Sequence, residues 1–345
     1  MNTSENNKTN KILSEKTENR DKEGRSIDYL RISVTDRCNL RCCYCMPEGI
    51  KLLEMSDILS YEEIEHIVRV FAKEGISRLK VTGGEPLVRP GCPGLIKRLK
   101  AVPGIEEISI TTNGILLKKN LDELKEAGLD GINISLDTLN REKYRKITGF
   151  DKLEEVLEAV DAAVDSGIRT KINTAVMKGI NTDEILELAQ MARDRALDVR
   201  FIEMMPIGYG SRFDYADNSY ILAELKKEYP DMTGDNRRHG NGPAVYYSIP
   251  GFAGGIGFIS AVSNKFCENC NRMRLTSTGV LKYCLCFEDG SELKSILRDT
   301  EMSESLKDER LREEFRRAME KKPKEHCFED RSRISETKEM FRIGG

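Results

Sequence analysis

Histidine is scarce in this chain. Only His66, His239 and His326 occur in 345 residues, and none lies near another. That counts against a zinc site built on a cysteine pair plus histidines. Long apolar runs are absent as well: nothing approaches the eighteen or so residues of a membrane span. The polar first 24 residues lack the apolar centre of a secretory signal. Nor is positive charge in excess. The formal net charge is -3, which argues against bulk nucleic-acid binding and leaves room for a local basic pocket. Apolar residues make up 39% and charged residues 33%, so a core is feasible at this length and the surplus charge belongs on helix faces such as REKYRK and SLKDERLREEFRRAMEKK. Residues 1–24 read as a disordered tail. The expected compartment is the cytoplasm, where thiols stay reduced. The N-x-S/T matches at Asn2 and Asn7 then carry no meaning, and the ten cysteines need a purpose other than disulfides.

Order is expected from Arg25 onward. YLRISVT (29–35), SRLKVTGG (77–84), EISITTNG (107–114), GINISLDT (131–138), RTKINTAVM (169–177) and LDVRFIEMMPIG (197–208) read as strands. Helical spacing lies between them over 61–75, 93–102, 121–128, 153–167 and 182–196. Repeated βα units imply a parallel sheet with helices outside it. Six units predict an α/β fold, a partial (βα)6 barrel short of the eight that close. The polar groups CNLRCCYC, TGGEP, TTNG, SLD and MMP fall where strands end, the edge at which active sites of such folds sit. The pattern changes near 212–218. A helix over 219–229, the loop GDNRRHGNGP, short strands, a second cysteine group, a charged helix over 301–321 and a terminal FRIGG follow. The expected division is a core over 25–215 and a smaller α+β domain over 216–345.

Four cysteines crowd into residues 38–45. Cys38, Cys42 and Cys45 put three thiolates on one loop, where structural zinc wants four ligands. A 4Fe-4S cluster normally takes four Cys ligands, so three would hold it and leave one iron open. Cys43, flush against Cys42, reads as a bystander. The second group, Cys267, Cys270 and Cys284 with Cys286 two residues on, suits either zinc through four thiolates or another cluster. Beside it, Arg272 and Arg274 are two apart on a predicted strand, so both guanidiniums share a face and can reach one anion.

CNLRCCYC after the first strand, with its aromatic Tyr44, and GGEP at 83–86 resemble the marks of the radical S-adenosylmethionine (SAM) superfamily. In order, YLRISVTDRCNLRCCYCMP, KVTGGEPLVR, TTNG, INISLDT, RFIEMMPIG, FCENCNRMRL and the terminal IGG resemble the GTP 3',8-cyclases, which open molybdenum cofactor synthesis. The resemblance runs from about Gly24 to Gly345. It implies a radical-SAM barrel and two 4Fe-4S clusters. Cys38, Cys42 and Cys45 would hold the first, and Cys267, Cys270 and Cys284 the second. It also implies SAM contacts at Tyr44, Gly84, Ser135 and Met205. GTP contacts would fall at Arg31, Lys80, Thr111, Lys171, Arg200, Arg272, Met273 and Arg274. The Gly344-Gly345 tail would reach the active site and, with Arg272 and Arg274, assist catalysis; composition alone would leave it frayed. The implied reaction abstracts hydrogen from C3' of the ribose and joins C3' to C8 of guanine. Its implied partners are an electron donor and a cyclic pyranopterin monophosphate synthase acting on the product, and a homodimer is compatible. Two positions depart from the family pattern. Lys80 stands where Arg is usual, a point charge for a planar fork, and Cys286 is an extra thiol. The rivals are a peptide- or porphyrin-modifying radical enzyme with an auxiliary cluster, and a zinc or redox-sensing module.

Overall fold

One twelve-stranded sheet runs through the computed structural model, which describes residues 19–344. The strands are β1 (Tyr29–Ser33), β2 (Arg78–Thr82), β3 (Glu107–Thr112), β4 (Gly131–Ser135), β5 (Arg169–Val176), β6 (Leu197–Glu203), β7 (Thr233–Asp235), β8 (Val245–Ser248), β9 (Ile256–Ile259), β10 (Arg272–Leu275), β11 (Val280–Lys282) and β12 (Gly290–Glu292). Strands β1 to β6 pair side by side and parallel, as the βα repeat predicts. Each is shorter at its C-terminal end than its apolar run, because the polar motif there has already left the ladder.

The strands after residue 215 do not make a sheet of their own. β10 pairs parallel with β1, and β9 pairs parallel with β6. Antiparallel β11 and β12 extend one side, and β8 and β7 the other. The six-stranded unit would otherwise present two edges of unpaired N–H and C=O groups, and the C-terminal chain caps both. The sheet stays open, with β12 and β7 as its edges.

Alternation sets what faces inward. In β1, Leu30 and Ile32 are fully buried in the outer core while Arg31 faces the interior. Val81, Ile110, Ile132, Ile172, Val199 and Phe201 join that core. The helix Tyr61–Lys73 starts in a capping box between Ser60 and Glu63 and buries Ile64, Ile67, Val68 and Phe71 on one face. The long helix Glu304–Lys321 packs Phe315 against Phe71 at 4.6 Å between ring centres. The helix expected over 182–196 is shorter, Ile185–Gln190 after a 3-10 turn.

The tail expected over 1–24 falls mostly outside the described residues, as do Asn2 and Asn7. Its last part is tied down. Asn19 Nδ2 donates to the Gly75 carbonyl at 3.1 Å, and buried Asp21 pairs with Arg25 at 2.6 Å. No helix among the described residues is long and apolar enough to cross a membrane.

Candidate active site

The C-terminal strand ends and the C-terminal chain enclose a chamber of about 350 Å³. Cys38, Cys42 and Cys45 line it, and so do Cys267, Cys270 and Cys284. Cys43 and Cys286 do not: Cys43 packs with Tyr44 and Ala175, and Cys286 with Ile207 and Phe328. Among the described residues, no three His, Cys, Asp or Glu side chains converge so as to hold a single ion. The thiols are arranged around a space, which fits a body larger than one zinc.

The first triad is held by its neighbours. Leu40 N donates to Cys38 Sγ at 3.4 Å, and Asn113 Nδ2, from the TTNG motif, reaches the same sulfur at 3.8 Å. The Phe341 amide bonds to Cys45. Tyr44 turns its hydroxyl onto Asp137 Oδ2 at 2.6 Å. Burial pushes the Cys38 thiol up to about 11 and the Cys45 thiol up to about 12. The second triad differs. Burial opposes ionisation of Cys270, yet Arg272 and Lys322 together outweigh it and bring the thiol down to about 6. Lys322, buried, also donates to the carbonyls of Arg272 (2.7 Å) and Tyr283 (2.9 Å). His326 presents its amide to Cys267 Sγ at 3.4 Å.

GGEP packs against the cysteine loop. Gly84 N donates to the Thr35 carbonyl and Glu85 N to the Arg37 carbonyl, both at 2.8 Å. A Cβ on Gly84 would lie 2.4 Å from the Arg37 oxygen. The pair of glycines therefore admits the neighbouring backbone on the side away from the chamber that both also line. Gly84, Ser135, Met205 and Tyr44 all line the chamber.

Cations fill one wall. The register sets Arg274 opposite Arg31, and Arg31 opposite Lys80. Like charges directly opposed across strands repel. Burial, reinforced by Arg200, Arg31, Lys171 and Arg272, drives the Lys80 amine well below its ordinary value. Burial likewise lowers Arg31 to about 10 and Arg274 to about 9. The Lys80 amine makes no hydrogen bond or ion pair among the described residues. Arg272 lies over the Phe266 ring at 4.9 Å. Four buried polar atoms on chamber-lining residues, Thr111 Oγ1, Asn173 Oδ1, Arg200 Nε and His326 Nε2, have no hydrogen-bond partner among the described residues. The crowded cations, with Thr111 Oγ1 and Arg200 Nε as unsatisfied donors, describe a site suited to an anion, while Asn173 Oδ1 calls for a donor on the ligand.

Two residues expected at the substrate lie differently. Met273 is fully buried on the opposite face of β10, so only its main chain could meet a ligand. Lys171 is outside the chamber wall, held by Asp198 (2.7 Å) and the Tyr246 hydroxyl (2.8 Å). His239 sits there too, between Asp198 and Asp235, each 3.0 Å away. His66 meets Asp308 at 2.6 Å on the surface. The C-terminal end is not frayed up to Gly344, whose carbonyl accepts from Arg31 Nε (2.5 Å) and Thr82 Oγ1 (3.2 Å); Gly345 lies outside the described residues. Sequence reading passed over Asp137, Asn113, Lys322 and His326 as functional neighbours. The first two sit inside motifs that it had flagged; the last two carry no local mark.

A family model described as the radical SAM superfamily matches residues 32–192, and one described as Molybdenum Cofactor Synthesis C matches residues 197–328. The chain is 43% identical over 327 residues to a GTP 3',8-cyclase of Clostridium perfringens (strain 13 / Type A), covering 94% of this chain and 100% of that one. It is 45% identical over 330 residues to a GTP 3',8-cyclase of Petrotoga mobilis (strain DSM 10674 / SJ95), covering 94% and 99%. Among solved structures, Streptococcus suis SuiB bound to S-adenosylmethionine superposes with a TM-score of 0.62, covering 88% of this chain and 72% of that one. At 14% identity that likeness is one of fold.

Proposed function

This chain belongs to the radical SAM superfamily and, within it, to the GTP 3',8-cyclases, and on that premise we propose how its chamber binds and cyclises GTP. Cys38, Cys42 and Cys45 would hold one 4Fe-4S cluster, and Cys267, Cys270 and Cys284 the other. Each triad offers three thiolates, one fewer than such a cluster normally takes, and so would leave room for a non-protein ligand. When bound, the clusters and SAM supply a single electron and a hydrogen-abstracting radical.

The chain's own residues bind, orient and shield. Tyr44, fixed by Asp137, and Gly84, Ser135 and Met205 line the SAM side. Arg31, Lys80, Arg200 and Arg274 present positive charge to a triphosphate, which carries about four negative charges near neutral pH. Thr111 Oγ1 and Arg200 Nε, otherwise unsatisfied, gain partners from the nucleotide. Arg272, between the second triad and Phe266, orients the base end. Gly344 caps Arg31, so the tail closes the wall on which C3' of the ribose and C8 of guanine must be held together. Lys171, braced by Asp198, stands as a further cation behind that wall. An external one-electron donor and a downstream enzyme that rearranges the product complete this reading, which places the protein in the cytoplasm.

The single observation that carries the proposal is the meeting of two cysteine triads and a row of buried cations in one chamber. The test is anaerobic reconstitution with iron and sulfide, then addition of reductant, SAM and GTP with ATP as control, followed by mass spectrometry. A new isomer of GTP alongside 5'-deoxyadenosine is the expected result. Deoxyadenosine with GTP unchanged would leave the radical chemistry and remove the substrate.

A further inference from the structure

Two cysteines that the cluster chemistry leaves unused lie together. Cys286 and Cys327 are 0% and 2% exposed, and their Sγ atoms are 3.2 Å apart. The Cys327 amide also donates to Cys286 Sγ at 3.4 Å. Cys286 belongs to the loop that carries Cys284. Cys327 belongs to a strap, residues 322–344, that runs past both triads. His326 N meets Cys267, Glu336 N donates to the Cys286 carbonyl at 3.2 Å, and the Glu336 carboxylate pairs with buried Lys282. The Phe341 amide meets Cys45, and Gly344 ends on Arg31 and Thr82. The sulfur pair therefore joins a segment that lines the chamber to the loop that holds the second triad. Leu285 and Phe328, the neighbours of the two thiols in the chain, line the chamber, so the buried pair lies directly behind its wall.

We infer that Cys286 and Cys327 form a redox-active dithiol, converted by hydrogen peroxide to a disulfide that pins the strap over the chamber. Peroxide oxidises one thiol to a sulfenic acid and leaves as water. The second sulfur then displaces hydroxide, which takes the second thiol's proton and leaves as another water. Two S–H bonds and one O–O bond break, one S–S bond forms, and the dithiol gives two electrons to the peroxide. A small dithiol reductant reverses the step.

The experiment uses the anaerobically reconstituted holoenzyme and one equivalent of hydrogen peroxide. Free thiols are alkylated, the chain is peptide-mapped, and trypsin cleavage after Lys324 and Arg331 is timed. The expected result is a Cys286–Cys327 linked peptide and strap cleavage slowed roughly tenfold, because cleavage follows the open population. Dithiothreitol restores the faster rate. Cys327→Ser and, separately, Cys286→Ser receive the same treatment. Both are expected to lose as much cluster iron as the parent and to show no slowing, which separates the latch from cluster damage. Absence of the linked peptide, or equal slowing in the serine variants, overturns the inference. Should both variants fail to fold, mapping of the parent chain alone decides.

Discussion

The Lys80 amine has no hydrogen-bond or ion-pair partner among the described residues and lies beside other buried cations, so it costs stability before nucleotide binds. Its neighbours across the sheet are Arg31 on one side and uncharged Ser109 on the other. Removing that charge relieves repulsion and desolvation before nucleotide binds. Lys80→Met is therefore predicted to raise the stability of the nucleotide-free protein by on the order of 1 kcal/mol. The same change removes a charge-assisted bond to phosphate and should weaken GTP binding by about ten- to a hundredfold. Lys80→Arg keeps the charge and restores the fork usual in the family; its binding should match or exceed the parent's. Urea denaturation without nucleotide and calorimetric titration with GTP read the two effects separately. A destabilised Lys80→Met protein with unchanged affinity would make Lys80 a packing residue.

The turn after β2 is the element on which the first triad leans, and Glu85 is its buried pivot. Glu85 Oε1 accepts from Leu87 N (3.0 Å) and Thr112 Oγ1 (2.8 Å), and Oε2 accepts from Asn113 N (2.6 Å). Burial outweighs these donors and pushes the carboxyl up to about 7 from 4.5. Between those values the folded protein keeps a proton that the unfolded chain releases. The stabilisation is complete below about pH 4.5 and is lost as pH rises through about 7, a swing on the order of 3 kcal/mol. Glu85→Gln abolishes that swing, and it costs about 1–3 kcal/mol because an amide N–H₂ now faces a backbone donor. The stability gap between variant and parent should thus be wide at pH 5 and narrow at pH 8. Parallel denaturation curves at both values would mean that Glu85 is ionised throughout.

The same element shows what was legible beforehand. Cysteine spacing marked both cysteine groups, and strand parity put Arg272 and Arg274 on one face, because both are local properties of the chain; only the family resemblance chose Cys284 over Cys286. GGEP was visible as a motif, whereas the packing of Gly84 against the Arg37 carbonyl joins two loops and is contained in no local pattern. Lys322 and His326 were unreadable for the same reason. A lone lysine after a charged helix looks solvated until the fold places it against Cys270.

At the scale of the whole molecule, the two halves of the chain share one sheet, and small bridges hold the ends of the chain to it. Arg25 is the clearest. Its guanidinium donates to Asp21 Oδ2 (2.6 Å) and to the carbonyls of Cys267 (3.0 Å), Lys324 (2.9 Å) and Pro323 (2.9 Å). One side chain thereby joins the N-terminal segment, the second triad and the start of the strap. The Arg25 and Asp21 side chains are only 5% and 0% exposed, so removing one leaves the other buried and uncompensated. Arg25→Ala should cost about 3–5 kcal/mol. Because three of the lost bonds end beside Cys267, the second site should fail first, leaving about four irons per reconstituted chain where two intact clusters would give about eight. The double variant Asp21→Ala with Arg25→Ala removes the stranded carboxylate and should recover part of the stability but none of the iron, since the Cys267 and strap carbonyls remain without their donor. Thermal unfolding and iron analysis of the three proteins separate the two roles. Full iron in both variants would assign Arg25 to the N-terminal segment alone and leave the second triad to be positioned by Lys322 and His326.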